Sequence, residues 1–324
     1  MRTGGEDFAQ ALTLMGVRPL WDDSSSRVSG FEILSAADLG RPRIDVTLRV
    51  SGLFRDTFPA QMALFDQAAQ AVAALDEDGD NNPLAAARRD VGALGARVYG
   101  AAPGAYGNGV ADLVMADPAV SREALGHAYL DASGHAFTMR GDGPDRDGFA
   151  RRVRGADALI HVQDMAETDV LAGSAYPEEE GGFVAASAML GGQGRAYHVD
   201  ATREEARVRT LAEEVARVAR GKFGSRDWIA GLMRHGHRGA AEIAEAVSNL
   251  AAFAVAAGCV GDATLDLAFD ATLGDDDVRA FMEADNPGAA RSIARDFAML
   301  RGRGLWRCRR NSAAMLLDQA REAA

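Results

Sequence analysis

The chain has 324 residues, 48% of them apolar and 25% charged, which is the profile of an ordinary globular protein with room for two domains. A balance of 35 basic against 47 acidic residues leaves a net charge of -12, which argues against nucleic acid as the main partner. No apolar run approaches the ~20 residues that cross a bilayer. Glu6 and Asp7 interrupt the start where a leader would be apolar, and Cys259 and Cys308 are too few for a disulfide framework, so the expectation is a cytoplasmic protein with no membrane partner.

The first two-thirds alternate strand-like and helix-like segments. Ile44, Val46, Leu48 and Val50 alternate with polar residues as in a half-buried strand. Pro59 opens a helix with Met62, Phe65, Ala69 and Val72 on one stripe. Residues 76–83 form an acidic loop, 97–99 a short strand, and 100–109 a glycine-rich loop. Ser121 is placed to cap the next helix. Residues 158–162 read as a buried strand, 182–190 as a helix and 195–199 as another strand. This order predicts an α/β fold, a mostly parallel sheet covered by helices. Beyond residue 200 the period becomes helical. Thr202 and Glu205 have capping-box spacing. Ser225 and Asn286-Pro287 mark further helix starts, and Ile243, Val247 and Leu250 share one helical stripe. Two domains are expected: residues 1–200, α/β and carrying the site loops, and residues 201–324, all helical.

Two segments are placed to do chemistry, because ligands collect beyond the carboxyl ends of strands in open α/β sheets. The first brings together His161, Gln163, Asp164, Glu167 and Asp169. Two carboxylates and an imidazole suit metal ligation or proton acceptance; the alternative is strand-end capping by solvated acids. The second is residues 49–56, where Arg49, Ser51 and Arg55 are candidates to bind a substrate. Arg55 would pair with a carboxylate, or else with its neighbour Asp56 on the surface. Tyr106 and Asn108 in the glycine-rich loop are further candidates for ligand contact, against a plain turn.

The loop lacks the Gly-Lys-Ser/Thr ending of a P-loop, and Gly221-Lys222 is followed by Phe223, so no nucleotide-hydrolysis motif is present. Glu178-Glu-Glu-Gly-Gly182 reads as a solvated helix start. His235-Gly-His237 reads as a surface turn ahead of a metal site. Arg207 and Arg209 sit at the unfavourable end of a helix for cations, which calls for another role. Lys222 is the single lysine.

The order of these blocks resembles a known family. Gly16-Val-Arg-Pro-Leu-Trp-Asp22, Leu39-Gly-Arg-Pro-Arg-Ile-Asp-Val-Thr-Leu-Arg-Val-Ser-Gly-Leu-Phe-Arg-Asp-Thr-Phe-Pro59, Arg97-Val-Tyr-Gly-Ala-Ala-Pro-Gly-Ala-Tyr-Gly107 and His161-Val-Gln-Asp-Met-Ala-Glu-Thr-Asp169 are similar to consecutive blocks of the cobaltochelatase large subunit, CobN type. So are Trp228-Ile-Ala-Gly-Leu-Met-Arg-His-Gly236 and Gly302-Arg-Gly-Leu-Trp306. The magnesium chelatase large subunit shares several of them; the Arg-Pro-Arg block and Met-Arg-His-Gly stretch favour the cobalt enzyme.

The resemblance implies the C-terminal part of a tetrapyrrole-binding subunit that inserts Co2+ into hydrogenobyrinic acid a,c-diamide. ATP and Mg2+ would be used by AAA+-related partner subunits, and the missing N-terminal portion of the subunit would be a further partner. Asp164, Glu167, Asp169 and His161 would be catalytic, with Asp164 and Glu167 as transient cobalt ligands. Relatives have Asn-Arg-Glu-His-Asp where this chain has Met165-Ala-Glu-Thr-Asp169, and a histidine before Gly-Gly near residues 178–180. The rival readings are a non-catalytic docking fragment, an inactive truncated product, and a magnesium-chelatase-like subunit.

Overall fold

A computed structural model describes residues 5–22, 24, 27–163 and 165–322. The chain folds as two compact units, and it crosses between them more than once. One unit comprises the residues up to Asn108 together with Leu130–Arg152; the other comprises Gly109–Tyr129 and everything from Val153 onward. None of the three crossings coincides with the expected boundary near residue 200.

In the first unit, β1 (Val17–Asp22) and β2 (Arg27–Ile33) form an antiparallel hairpin. Next come β3 (Leu48–Val50), β4 (Val98–Gly100), β5 (His135–Thr138) and β6 (Gly141–Pro144), which form a four-stranded sheet in that order. Only β3/β4 is parallel there; the pairs β4/β5 and β5/β6 are antiparallel. The helix Pro59–Ala73 lies in the crossover between β3 and β4. Its expected stripe is real: Met62, Phe65, Ala69 and Val72 are buried, packed with Phe8, Leu12, Leu84, Val98 and Phe137.

The strand expected from residue 44 is shorter than its alternating pattern. The Arg43 and Ile44 amides bond to Asn81 and Leu14 carbonyls instead of a ladder, and Ile44 stays exposed. Arg43 is the anchor. Its buried guanidinium takes Glu77 at 2.7 and 2.9 Å and the carbonyls of Met15, Gly16 and Leu34. Gly16 has φ +77, and a Cβ there would fall 2.4 Å from Arg43 Nη1, so only glycine fits.

In the second unit, β7 (Ala158–Gln163) runs parallel to β8 (Arg195–Asp200), and β9 (Arg207–Thr210) closes antiparallel on β8. β7 is an edge strand with Ile160 half exposed, not a fully buried strand. The sheets are therefore mixed, and β3 and β7 belong to different ones, so the expected neighbouring strands are not formed.

The helix expected at Thr202 starts later. Residues 207–210 pair with β8, and the capping box is Thr210 with Glu213, which opens Leu211–Phe223. Thr202 instead donates from its amide and its hydroxyl to the Asp200 carboxylate, which closes a turn. Arg209 acquires its role here: it reaches Asp200 and the buried Glu214.

From Leu211 onward every described element is a helix. Ser225 and Asn286 cap helices Arg226–Met233 and Pro287–Gly302 as expected. The helix Gly236–Ala256 buries Ile243, Val247, Leu250 and Phe253. It is long and apolar enough to cross a bilayer, contrary to the reading above, but 78% of that stretch is buried within the fold, as in a core helix. Phe269, Phe297 and Trp306 form an aromatic trio beside it, with centroids 4.8 to 5.3 Å apart.

Candidate functional site

The two strand-end segments belong to different units. In the first unit, Ser51 caps helix Gly52–Thr57 by accepting from the Phe54 amide. Arg49 reaches the Ser133 hydroxyl at 3.2 and 3.3 Å.

Arg55 does not face a ligand. Its guanidinium is buried, grips Asp56 with two prongs at 2.7 and 3.0 Å, and donates to the carbonyls of Ala101, Ala102 and Ala105. This corrects both sequence readings: the pair with Asp56 exists, but it fastens the glycine-rich loop from inside. The Tyr106 hydroxyl donates to Asp56 at 2.6 Å, and its ring lies under Arg55 while remaining 65% exposed. Hydrogen bonds from Arg55 and then Tyr106 hold the Asp56 carboxyl below the usual range. Gly52 admits the loop: a Cβ there would lie 2.6 Å from the Tyr106 ring and 2.8 Å from the Ala105 carbonyl. Asn108 is buried, so it belongs to the loop's interior.

In the second unit, His161 on β7 and His198 on β8 are register partners near the carboxyl ends of two parallel strands. Opposite them stands Glu180, supplied by a π-helical turn, Pro177–Gly181, that leads into helix Gly182–Met189. Such turns occur often at functional sites because the extra residue re-aims a side chain. The turn is not a solvated helix start: Glu180 is fully buried and Glu178 nearly so.

His198, also fully buried, places Nδ1 2.9 Å from Glu180 Oε1 and Nε2 3.0 Å from Gln163 Oε1. His161 Nδ1 stands 3.2 Å from the same Glu180 oxygen, off the line of a good hydrogen bond. Glu180 Oε2 is buried with no hydrogen-bond partner among the described residues. The Tyr176 ring packs on both imidazoles, at 5.1 and 5.7 Å. Burial pushes the Glu180 carboxyl up, but His161 and His198 outweigh it and hold the group below its ordinary value. Burial first, then Glu180, pushes the Cys259 thiol up to about 12, so its sulfur is neutral near neutral pH.

The expected acids separate around this cluster. Asp164 lies outside the described residues. Glu167 is exposed. Asp169 accepts from the Leu171 amide and pairs with Lys222 at 2.9 Å, and that ammonium lies over the Trp228 ring. Gln163 is buried, and its amide nitrogen is committed to the carbonyls of Met165 and Thr168, so it is a scaffold of the cluster and not a substrate contact. His237 bonds the Asp285 carbonyl, and no group of three or more His, Cys, Asp or Glu among the described residues is arranged to hold a metal.

Sequence reading found His161 but missed Glu180 and His198. The one available signal was a histidine at the same position of each of two similar strands. An acidic run does not reveal which member a π turn will bury.

The chain matches the family described as CobN/Magnesium Chelatase over residues 1–313. It is 43% identical, over 97% of its length, to the aerobic cobaltochelatase subunit CobN of a Sinorhizobium species, and 43% identical over 94% to that of Pseudomonas aeruginosa. It is 31% identical, over 94% of its length, to the chloroplastic magnesium-chelatase subunit ChlH of japonica rice. The solved structure of the catalytic subunit of cobaltochelatase from Mycobacterium tuberculosis superposes over 98% of the chain with a TM-score of 0.92 at 34% identity, and the chain covers 28% of that subunit. It likewise spans about a quarter of the curated CobN relatives, 26% of each. Fold, order of elements and sequence agree along almost the whole chain, which belongs to the CobN/magnesium chelatase family.

Proposed function

We propose that the chain is the C-terminal part of the large, tetrapyrrole-binding subunit of an ATP-dependent cobaltochelatase, which inserts Co2+ into hydrogenobyrinic acid a,c-diamide. The observation that carries this reading is the 43% identity to two CobN subunits over nearly the whole chain, against 31% to a magnesium-chelatase subunit. Insertion removes water from Co2+ and two N–H protons from the macrocycle, so it calls for oxygen or nitrogen groups that replace water and accept protons. His161, Glu167 and Asp164 are assigned to that work, Asp164 and Glu167 as transient cobalt ligands. Asp169 orders the segment through Lys222. The sequence carries no P-loop, in keeping with ATP hydrolysis, and its Mg2+, in AAA+-related partner subunits. The rest of the large subunit completes the macrocycle pocket.

The test is reconstitution of the chain with the remaining portion of the subunit and the ATPase partners, following Co2+ insertion by absorbance. Wild type is expected to insert Co2+. Glu167→Gln and Asp164→Asn should lower the rate by roughly 100-fold or more while assembly persists. Unchanged rates in both variants would remove the ligand assignment; Mg2+ insertion into a porphyrin in place of Co2+ would move the chain to the magnesium branch. A complex that assembles, binds macrocycle elsewhere and needs no residue of this chain for insertion would make it a docking fragment. The chain alone is expected to show no ATP turnover.

A further inference from the structure

We infer that the open face of the sheet β7–β8–β9 is a docking surface for an amphipathic helix supplied by the rest of the large subunit; this rests on the reading of the chain as part of such a subunit.

Side chains alternate between the two faces of a strand, and register partners share a face. Leu159, His161 and Gln163 on β7 therefore point the same way as Ala196, His198 and Asp200 on β8. That face is covered. Ala196, Gln163 and His198 are buried on it. Glu180 meets His198 from the π turn, and Glu214 of helix Leu211–Phe223 meets Arg209, the β9 partner of His198.

The opposite face is apolar and open. Ile160 stands beside Tyr197, and Val162 beside Val199, which in turn faces Val208. Val199, in the middle, is buried, but at the two edges Ile160 is 50% exposed and Val208 63%. Val162 and Tyr197 are part-exposed. A sheet face that meets water carries polar groups at such positions, and clustered exposed apolar side chains mark an interface. β7 makes the same point from its sequence. Leu159, Ile160 and Val162 put apolar groups on both of its faces, the composition of a strand covered on both sides, yet this chain covers only one.

Size and charge choose the occupant. Three strands ~4.8 Å apart present a strip about 10 Å wide, the diameter of one helix. A helix laid there completes the two-sided layering of an α/β sheet. Arg195 projects from the same face at the amino end of β8, is exposed, and makes no ion pair among the described residues. It offers its guanidinium to a carboxylate. A second copy of this face would bring none, because the one acid of the three strands, Asp200, lies on the covered face. The chain spans 26% of each CobN relative and 28% of the solved subunit, so the greater part of such a subunit lies outside it and is present in equal amount.

The test compares the chain alone with the complete large subunit. In Val208→Cys, maleimide labelling at that position, read by mass spectrometry beside Cys259 and Cys308, is expected to be fast in the chain and roughly 10-fold slower or more in the subunit. When the chain is mixed with the remaining portion, Ile160→Asp and Val208→Asp should each weaken association roughly 10-fold or more. Neither should shift the melt of the chain alone, since both positions are exposed. Arg195→Glu should weaken association less and remove part of its salt dependence. Equal labelling rates in chain and subunit overturn the inference. Hydrogen-exchange protection of the β7 amides that point away from β8 would mean an added strand and overturn the helix. A dimer of the chain alone that Val208→Asp dissolves would give the face to a second copy and overturn it too. A subunit that protects the position but inserts no cobalt overturns the chelatase reading and leaves the docking face standing; one that inserts cobalt with the position freely labelled does the reverse.

Discussion

A guanidinium has five N–H donors in a fixed fork, and Arg55 directs its fork inward. Removing it leaves the carbonyls of Ala101, Ala102 and Ala105 without that donor and frees Asp56 and Tyr106. Arg55→Met is expected to cost about 2 kcal/mol or more, read as a lower urea midpoint, and to make the peptide bond after Tyr106 sensitive to chymotrypsin in the folded chain. An unchanged midpoint with a protected loop would refute the clamp. Arg43 makes the corresponding argument through pH. Its hydrogen bonds hold Glu77 below the ordinary 4.5, against partial burial, which raises it. A depressed carboxyl stabilises the fold fully above that ordinary value, and the contribution is lost as pH falls through the lower folded value. Stability measured by urea titration should therefore decline below about pH 4.5, and Glu77→Gln should flatten that part of the curve. A slope unchanged by the substitution would place the acid sensitivity elsewhere.

Two Thr-x-x-Glu sequences lie eight residues apart, and only the second caps a helix. The first follows β8 where the chain must turn back, and the next residues are taken by the ladder of β9. The expected outcome at the scale of the element is a contrast. Thr210→Ala should lower stability by about 1 kcal/mol, because it removes the hydroxyl that accepts from the Glu213 amide and donates to the Glu213 carboxylate. Thr202→Ala should cost clearly less, since the turn it serves carries no helix. Equal losses in thermal melts would contradict the assignment of the box. The long helix Gly236–Ala256 supplies the strongest packing. Leu250→Ala, at a site with no solvent exposure, is expected to cost about 2–5 kcal/mol depending on how far the cavity closes.

The second unit is discontinuous in sequence, and this has consequences for cutting the chain. Within that unit, Arg122 donates to the Ala256 carbonyl, Asn249 to the Leu171 carbonyl, and Arg303 to the carbonyls of Pro118 and Val120. A fragment of residues 201–324 would lose these bonds and one side of the apolar cover of helix Gly236–Ala256. It is expected to melt without a sharp transition and to give poorly dispersed amide spectra, although its sequence is helical throughout. A cooperative, well-dispersed fragment would show that a boundary near residue 200 is a true domain limit.

Periodicity along the chain located helices Pro59–Ala73, Gly182–Met189, Gly236–Ala256 and Pro287–Gly302 and the strands β3, β4, β7 and β8, but not β1, β2, β5, β6 or β9. Apolar spacing and capping residues act over one or two turns, and Met62, Phe65, Ser225 and Asn286 all do what their neighbours dictate. The family was legible for the related reason that ordered blocks survive in a linear string. The cluster around Glu180 was not. His161, Glu180 and His198 come from three elements separated by 18 or more residues, and their meeting depends on the register of β7 with β8 and on one π turn. The outward look of Arg55 and Gln163 as polar strand-end residues was misleading for the same cause. A side chain's polarity is a property of the residue, but whether it meets solvent, a carbonyl or a buried charge is decided by which backbone the fold brings against it.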